Sequence, residues 1–237
     1  MSGESPLVAF TVDVEPDCPP YLTGFRGIEH GMPRLLDLLA DERVPATFFT
    51  TGEVASRFPE VVARIVRDGH ELASHGMTHR AFTTLEIGEA RHEIEESATI
   101  LRRSASVTSF RAPYLQFPPT YLPLLEQAGF TLDSSQAKYK AAYYRERATT
   151  SLARVPASVT SSVLRLPRVV RGAYLAALSN PVVLFVHPWE FVDLRKEQLR
   201  IDCRFRTGEA ALDCVRTVLR GYKARGARFA RMAELST

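Results

Sequence analysis

The chain has 237 residues, of which 45% are hydrophobic and 24% charged, a composition typical of a soluble globular protein. Its formal net charge of +3 is too small to indicate binding to nucleic acid. The longest apolar run, Val182–Val186, is too short to span a bilayer, and the first residues lack the pattern of a secretion signal. We therefore expect no transmembrane segment and a cytoplasmic location, with Cys18, Cys203 and Cys214 as reduced thiols.

Strand and helix patterns alternate along the whole chain, which favours a parallel sheet within a single domain, residues 1–237. Residues 7–12 form the first predicted strand. A helix opens at Gly31, Met32 and Pro33 and stops before Pro45. Residues 46–50 form the second predicted strand.

A helix starting at Pro59 and ended by Gly69 precedes the third predicted strand, residues 71–74. Thr83 and Glu86 have the spacing of a capping box, and the helix that follows is expected to end near Arg103. The remaining predictions are strands at 107–110, 130–132 and 182–186, helices at 120–128 and 208–225, and a short strand around Phe229. The segment from Tyr139 to Ala177 has no clear pattern.

Polar residues follow these predicted strands at or just past their carboxyl ends; they are Asp13 and Glu15, His75, Arg111, Asp133 and His187. In a β/α barrel the loops at this end of the strands build the active site. Repetition of the pattern over five strands therefore indicates an enzyme of that architecture.

Two pairs of residues in this set are suited to a metal site. Asp13 and Glu15 are two apart on a strand and face the same side, and a bound cation would relieve their mutual repulsion. His75 and His79 lie four apart in SHGMTH. Two imidazoles and one carboxylate can hold a divalent ion with one open position for water, and the second carboxylate is then free to move a proton.

The other strand-end residues have more than one reading. Arg111 can clamp a carboxylate or form a surface ion pair. His187 emerges from an apolar strand as a core imidazole or a proton donor, with Trp189 as a pocket wall. The segment from Tyr139 to Ala177 interleaves apolar side chains with arginines, which favours a barrel crossover over a lid for a lipid-linked substrate or an anchor at an anionic membrane.

These motifs resemble those of the polysaccharide deacetylase family, the NodB-like proteins of carbohydrate esterase family four. The likeness extends over nearly the whole chain, and its motifs are TVDVE, SHGMTH, FRAPY, the stretch around Asp133 in LDSS, and LFVHPWEF. The resemblance implies an α/β fold, a single-domain distorted (β/α)7-type barrel. It also implies metal-dependent hydrolysis of an N-acyl amide on an amino sugar.

The resemblance also implies roles for individual residues. Asp13 is the general base and His187 the general acid, with Arg111 tethering Asp13 and Asp133 tuning His187. His75 and His79 are metal ligands, and the backbone N–H of Tyr114 is the oxyanion partner.

The first motif departs from the family pattern, in which two aspartates are adjacent, because Val14 separates Asp13 from Glu15. We assign Glu15 to the metal by analogy with relatives that have a spacer here, and Asp13 is the alternative ligand. Zinc is the expected ion, and Co²⁺, Ni²⁺, Fe²⁺ or Mn²⁺ would also suit the site.

The expected substrate is an acetylated or formylated amino sugar that is free, nucleotide-linked, lipid-linked or polymeric. Peripheral contact with a membrane is compatible with this sequence, and the oligomeric state is not predicted. Two alternatives stay open: an allantoinase-like cyclic amide hydrolase of the same superfamily, and an inactive carbohydrate-binding barrel.

Overall fold

The computed structural model describes residues 5–146 and 148–235. Its strands are β1 (Leu7–Val14), β2 (Ala46–Thr50), β3 (Glu71–Ser74), β4 (Ser109–Phe110), β5 (Leu132–Asp133), β6 (Ala153–Arg154), β7 (Val182–Val186) and β8 (Arg228–Phe229). Its α-helices are α1 (Met32–Glu42), α2 (Gly52–Arg57), α3 (Pro59–Arg67), α4 (Ile87–Leu101), α5 (Leu122–Gln127), α6 (Ala141–Arg145), α7 (Ser161–Leu164), α8 (Arg168–Ala176), α9 (Ile201–Arg204) and α10 (Glu209–Ala224).

Seven strands lie in the order β6-β5-β4-β3-β2-β1-β7, and every pair is parallel. The short strand β8 pairs with the start of β1, through Leu7 and Val8, whereas β2 pairs with β1 from Phe10 onwards. The predicted distorted seven-stranded α/β barrel is therefore confirmed. Because all strands are parallel, their carboxyl ends meet at one end of the barrel.

The barrel is closed between its two outermost strands by a serine just after β6. The Ser158 N–H donates to the Val183 carbonyl at 2.9 Å, and the Val183 N–H donates to Ser158 Oγ at 2.9 Å. This side chain replaces ladder hydrogen bonds that the two-residue strand β6 does not supply. The barrel is thus distorted at this seam.

Alternation along β1 separates the outer core from the barrel interior. Phe10 and Val12 are fully buried in the large cluster with side chains of α1 and α10, whereas Ala9 belongs to a smaller cluster with Phe49 and Val183. Period-two alternation puts Ala9 and Asp13 on the same face of the strand. The same side of β1 that fills the barrel therefore also carries the catalytic candidate.

Most predicted elements agree with the structure, and β2, β3 and β7 have the predicted bounds. The predicted capping box was wrong in register: helix α4 begins at Ile87, and the Glu89 carboxylate accepts the Glu86 N–H at 3.0 Å. Thr83 lies instead in a 3₁₀ turn, Phe82–Thr84. Phe82 is fully buried in the core beside α4, and this packing turns the chain before the helix can start.

Several elements were absent from the predictions, among them the short helix α9. Helix α2 has Thr51 as its N-cap, whose side chain accepts the Val54 N–H at 3.3 Å. A single π-helical turn, Gly27–Gly31, precedes α1. The unassigned segment contains α6, β6, α7 and α8, so its described part supplies one strand of the sheet as well as the connections from β5 to β6 and from β6 to β7. None of the helices in the described ranges has the length and apolarity needed to cross a membrane.

Candidate functional site

The polar strand-end residues meet at one end of the barrel, as their positions in the sequence predict. Asp13 is the second-to-last residue of β1, and Glu15 is the first residue after this strand. His75 and His187 come directly after β3 and β7. A cavity of about 380 Å³ opens there. It is bordered by Asp13, Glu15, Cys18, Pro19, Pro20, Tyr21, His75, His79, Tyr114, Leu115, Tyr139, Phe185, His187, Trp189, Arg200 and Cys203.

Glu15, His75 and His79 form a compact buried group. Within the described residues, theirs is the one set of three or more histidine, cysteine or acidic ligand atoms that all lie within 4.8 Å of one another. Glu15 Oε2 is 2.6 Å from His79 Nε2 and 3.4 Å from His75 Nε2. Burial would raise the pKa of Glu15, but His79 and His187 hold it well below its usual range.

Each histidine of this group is held so that Nε2 faces Glu15. His75 Nδ1 lies 2.7 Å from the Arg111 carbonyl oxygen, which can only accept, so this nitrogen carries the proton and Nε2 keeps its lone pair. His79 has a left-handed backbone, with φ of 58°, in the loop after β3. Strain of this kind in a residue other than glycine is typical of functional sites.

The three side chains fit a divalent metal ion. His79 Nδ1 is buried without a hydrogen-bond partner among residues 5–146 and 148–235, and the buried Nε2 faces Glu15 Oε2 at 2.6 Å. An ion held by Glu15 Oε2 and the Nε2 atoms of His75 and His79 would offset the cost of burying these polar groups together. Two imidazole nitrogens and a carboxylate oxygen are a ligand set typical of catalytic zinc sites, which keep a fourth position open.

The two carboxylates of the first motif have different partners. Arg111 is fully buried, and its NH1 donates to Asp13 Oδ1 at 2.6 Å and to Thr11 Oγ1 at 2.8 Å. NH2 of the same guanidinium donates to Ser134 Oγ at 2.9 Å. Asp13 is therefore tied to a permanent cation, while Glu15 faces the histidines.

Trp189 contacts both Glu15, of the Glu15–His75–His79 group, and His187. Its indole N–H donates to Glu15 Oε1 at 3.1 Å, and its ring stacks on the His187 imidazole with centroids 4.7 Å apart. Trp189 is thus a cavity wall, as predicted, and also fixes one oxygen of Glu15. The other oxygen is left to face His75 and His79.

The structure gives His187 a different acidic partner from the one predicted. Glu190 Oε1 lies 2.8 Å from His187 Nδ1 and accepts the His187 backbone N–H at 3.0 Å. Burial would lower the pKa of His187, but the carboxylates of Glu15 and Glu190 raise it to about 9. Glu190 is itself buried and forms an ion pair with Arg165 at 2.9 Å.

Asp133 lies at the end of β5, where it was expected, but its contacts are with other residues. It pairs with Arg154 Nε at 2.7 Å and accepts the Ser135 backbone N–H at 3.0 Å. The prediction that Asp133 tunes His187 was therefore wrong, and Glu190 is the acidic partner of the His187 ring. The reason is that Glu190 lies three residues after His187, on the 3₁₀ turn Pro188–Phe191, which brings its carboxylate against the ring.

Tyr114 lies in a strained turn beside the ligand group. Tyr114 and Leu115 have φ of 60° and 51°, and the Tyr114 ring packs edge-on against His79 with centroids 4.9 Å apart. The Pro113 carbonyl accepts the Gln116 N–H at 3.3 Å. In the trans peptide between Pro113 and Tyr114 the N–H points away from that carbonyl.

Several cavity residues were missed from the sequence. Tyr139 borders the cavity, and burial raises its pKa to about 12. The Cys18 thiol donates a hydrogen bond to Cys203, which together with burial raises the pKa of Cys18, and neither cysteine is in a disulfide. Glu190 was detectable in HPWEF by its spacing from His187, whereas Tyr139, Cys18 and Cys203 have no local signal and reach the site only through the fold.

The fold and site define the chain as a parallel β/α barrel with a buried Glu–His–His group at the carboxyl end of its strands. The family model for polysaccharide deacetylase matches residues 2–132, and the chain belongs to that family. Its resemblance to this family is therefore confirmed.

The chain is similar to named proteins over part of their length. It is 40% identical over 85 residues to a chitooligosaccharide deacetylase of Sinorhizobium fredii, covering 35% of this chain and 40% of that protein. It is 37% identical over 84 residues to a peptidoglycan-N-acetylglucosamine deacetylase of Bacillus cereus, covering 35% and 30%. The alignments thus span less than half the length of these relatives.

A solved structure is similar over nearly the whole chain. The family 4 carbohydrate esterase from Streptomyces lividans, in complex with acetate, has a TM-score of 0.65 at 18% identity and covers 95% of this chain and 92% of its own. At this identity the likeness shows the fold.

Proposed function

We propose that the protein is a metal-dependent hydrolase that removes an acetyl or formyl group from the nitrogen of an amino sugar. The observation that carries this is the convergence of Glu15, His75 and His79 with Asp13 and His187 around one cavity. The names of the matched relatives, which act on chitooligosaccharide and on peptidoglycan N-acetylglucosamine, support a sugar amide as substrate.

Glu15, His75 and His79 would hold the metal, which when bound supplies Lewis-acid activation of water and of the acyl oxygen. We assign this place to zinc because of the nitrogen-rich ligand set; Co²⁺, Ni²⁺, Fe²⁺ and Mn²⁺ also accept it. Glu15, rather than Asp13, is the carboxylate ligand, since Asp13 is engaged by Arg111.

The remaining residues move protons and stabilise charge. Asp13, held in place by Arg111, accepts the proton of the attacking water. The Tyr114 N–H donates to the oxygen of the tetrahedral intermediate. His187, kept protonated by Glu190, gives its Nε2 proton to the departing sugar amine. The products are a carboxylate and a free amine.

The test is a substrate panel with the purified protein, metal-free and loaded with zinc. The panel contains N-acetylglucosamine oligomers, a formylated amino sugar, nucleotide- and lipid-linked acetylated sugars, and allantoin. We expect acetate or formate release that requires metal and is lost in D13N. Turnover of allantoin alone would identify a cyclic amide hydrolase, and metal binding without any turnover would identify a carbohydrate-binding barrel.

A further inference from the structure

Helix α8 (Arg168–Ala176) presents apolar side chains to solvent. Val169 is 85% exposed, Val170 55% and Tyr174 43%. With the exposed Ala173 and Ala177 they recur at the spacing of one helical face, and we call these five residues the outer stripe.

The face of α8 that points to the barrel has the opposite character. Arg171 is only 5% exposed, and its guanidinium donates to the Leu164 carbonyl at 2.8 Å, while Leu175 beside it is also buried. A surface helix ordinarily buries its apolar face and exposes its charges. In α8 an arginine is inside and two valines are outside, so the barrel core does not account for the outer stripe.

The surroundings of the outer stripe are basic. A groove of about 310 Å³ runs between α8 and α10, and Arg168, Arg171 and Arg225 are among its walls. No aspartate or glutamate lines this groove among the described residues. From Ala148 to Trp189 the sequence has four arginines, Arg154, Arg165, Arg168 and Arg171, and no acidic residue.

We propose that the outer stripe docks on an anionic lipid surface. Val169, Val170 and Tyr174 enter the boundary between headgroups and acyl chains, and Arg168 and Arg225 meet the lipid phosphates. Apolar side chains with flanking arginines are the combination that binds helices to the plane of anionic membranes.

A second copy of the chain fits this surface less well. The outer stripe extends over about 12 Å of helix, at 1.5 Å for each residue. A stable dimer needs roughly 800 Å² from each partner. Two alanines, two valines and one tyrosine fall short of that area, and the acid-free segment offers no partner for the arginines of the same segment in another copy.

The position of α8 relates this surface to the catalytic cavity. The helix leads into the start of β7, and His187 follows the end of that strand, so the start of α8 lies toward the end of the barrel that carries the cavity. Arg165, three residues before α8, pairs with Glu190, the partner of His187. Docking through Val169 and Val170 therefore keeps the cavity close to the lipid headgroups.

The test is sedimentation of the full chain with phosphatidylcholine vesicles, with and without phosphatidylglycerol. We expect binding to the mixed vesicles that weakens with salt, falls about tenfold in V169N/V170N and falls roughly fivefold in R168Q. Valine and asparagine have similar helix propensities, so the double variant should stay folded. I87N, at an exposed β-branched side chain on α4, should bind like the wild type.

Three results would overturn the proposal, and none depends on enzymatic activity. The first is the absence of wild-type binding to the mixed vesicles. The second is equal loss of binding in I87N and V169N/V170N. The third is a wild-type dimer in sedimentation velocity that V169N/V170N converts to monomers, since a second copy would then cover the stripe.

Discussion

Asp13 and Glu15 differ in their partners although they are two residues apart on one face of β1. Arg111 donates to Asp13, whereas Trp189 donates to one oxygen of Glu15 and the histidines face the other. This difference supports the proposal that the first carboxylate transfers a proton and the second binds the metal. Single substitutions to the neutral amides should separate the two roles.

We expect E15Q to lose the metal and D13N to keep it. An amide oxygen is a weak ligand for zinc, so the metal content of E15Q should fall far below the value of about one ion for each chain that we expect of the wild type. D13N should retain the ion and lose turnover by about 10²- to 10⁴-fold, as expected for a general base. Elemental analysis and acetate release measure both, and the reverse pattern would exchange the two assignments.

Glu190 should set the alkaline limit of activity through His187. Because the pKa of His187 is raised to about 9, its imidazolium is present below that pH and is lost as the pH rises through it. E190Q removes a negative charge beside the ring, so the pKa should fall and the alkaline limb should move to lower pH by about one unit or more.

The same substitution should lower kcat by roughly 10- to 100-fold, because Glu190 also orients the ring. Steady-state rates of wild type and E190Q across the pH range provide the measurement. D133N serves as the comparison, since Asp133 contacts Arg154 and Ser135. A shift of the alkaline limb in D133N but not in E190Q would restore the assignment made from the sequence.

Site residues that lie in motifs were accessible from the sequence, and those that reach the site through the fold were not. Asp13, His75 and His187 follow apolar strands, so their positions predict their meeting. The pairing of His187 with Glu190 required the geometry of a 3₁₀ turn. Tyr139 precedes helix α6 in the crossover that the sequence left unassigned, and no local pattern places it in the cavity.

The turn after β4 depends on a contact from the crossover segment. Lys140 Nζ donates to the Tyr114 carbonyl at 2.6 Å and to the Leu115 carbonyl at 3.3 Å. Tyr114 and Leu115 are the two residues of this turn that have left-handed backbones. Such a conformation persists only where surrounding contacts hold it, so Lys140 stabilises the turn that contains the proposed oxyanion donor, the Tyr114 N–H.

We expect K140M to lower kcat by about tenfold or more while its metal content stays unchanged, because a displaced oxyanion donor costs transition-state stabilisation. K138M is the matched control: Lys138 Nζ donates to the Ser179 and Pro181 carbonyls, at 3.3 Å each, and not to the turn. Equal losses in both variants would show that the crossover as a whole, and not the turn, is responsible. Parallel kinetics and elemental analysis make the comparison.

Central strands were predictable because their side chains are buried on both faces and form short continuous apolar runs, as in β2 and β7. The two-residue strands β4 and β5 overlap the strands predicted at 107–110 and 130–132, whereas β6, also of two residues, was missed because it is too short to form a pattern. Helix α8 was not predicted for a different reason, since its apolar residues face outward and Arg171 faces inward. Its sequence therefore lacks the pattern of a helix that buries an apolar face against a core.

The proposed ligands connect separate parts of the barrel, since Glu15 follows β1 whereas His75 and His79 follow β3. A metal that binds the folded chain alone stabilises it by about 2.7 kcal/mol at a hundred times its dissociation constant. For a chain of this length we expect the midpoint of thermal unfolding to rise by roughly 5 to 10 °C with zinc. A chelator should reverse the rise, and E15Q should not show it; identical midpoints would exclude a structural contribution.

At the scale of the molecule, the barrel and its family were predictable from the order of strands, helices and strand-end motifs. Two predictions at this scale are not tested by the structure. The cytoplasmic location and the single domain over residues 1–237 stay predictions, and residues 1–4, 147, 236 and 237 lie outside the described ranges.

The chain has a single tryptophan, Trp189, whose indole donates to Glu15 and stacks on His187. The protein therefore contains an intrinsic fluorophore in contact with a proposed metal ligand and with the proposed acid. Loading with zinc should change its emission, and titration of His187 should change its quenching, since a protonated imidazole quenches an adjacent indole. Emission spectra of wild type, E15Q and H187A would follow both events in solution without any substrate.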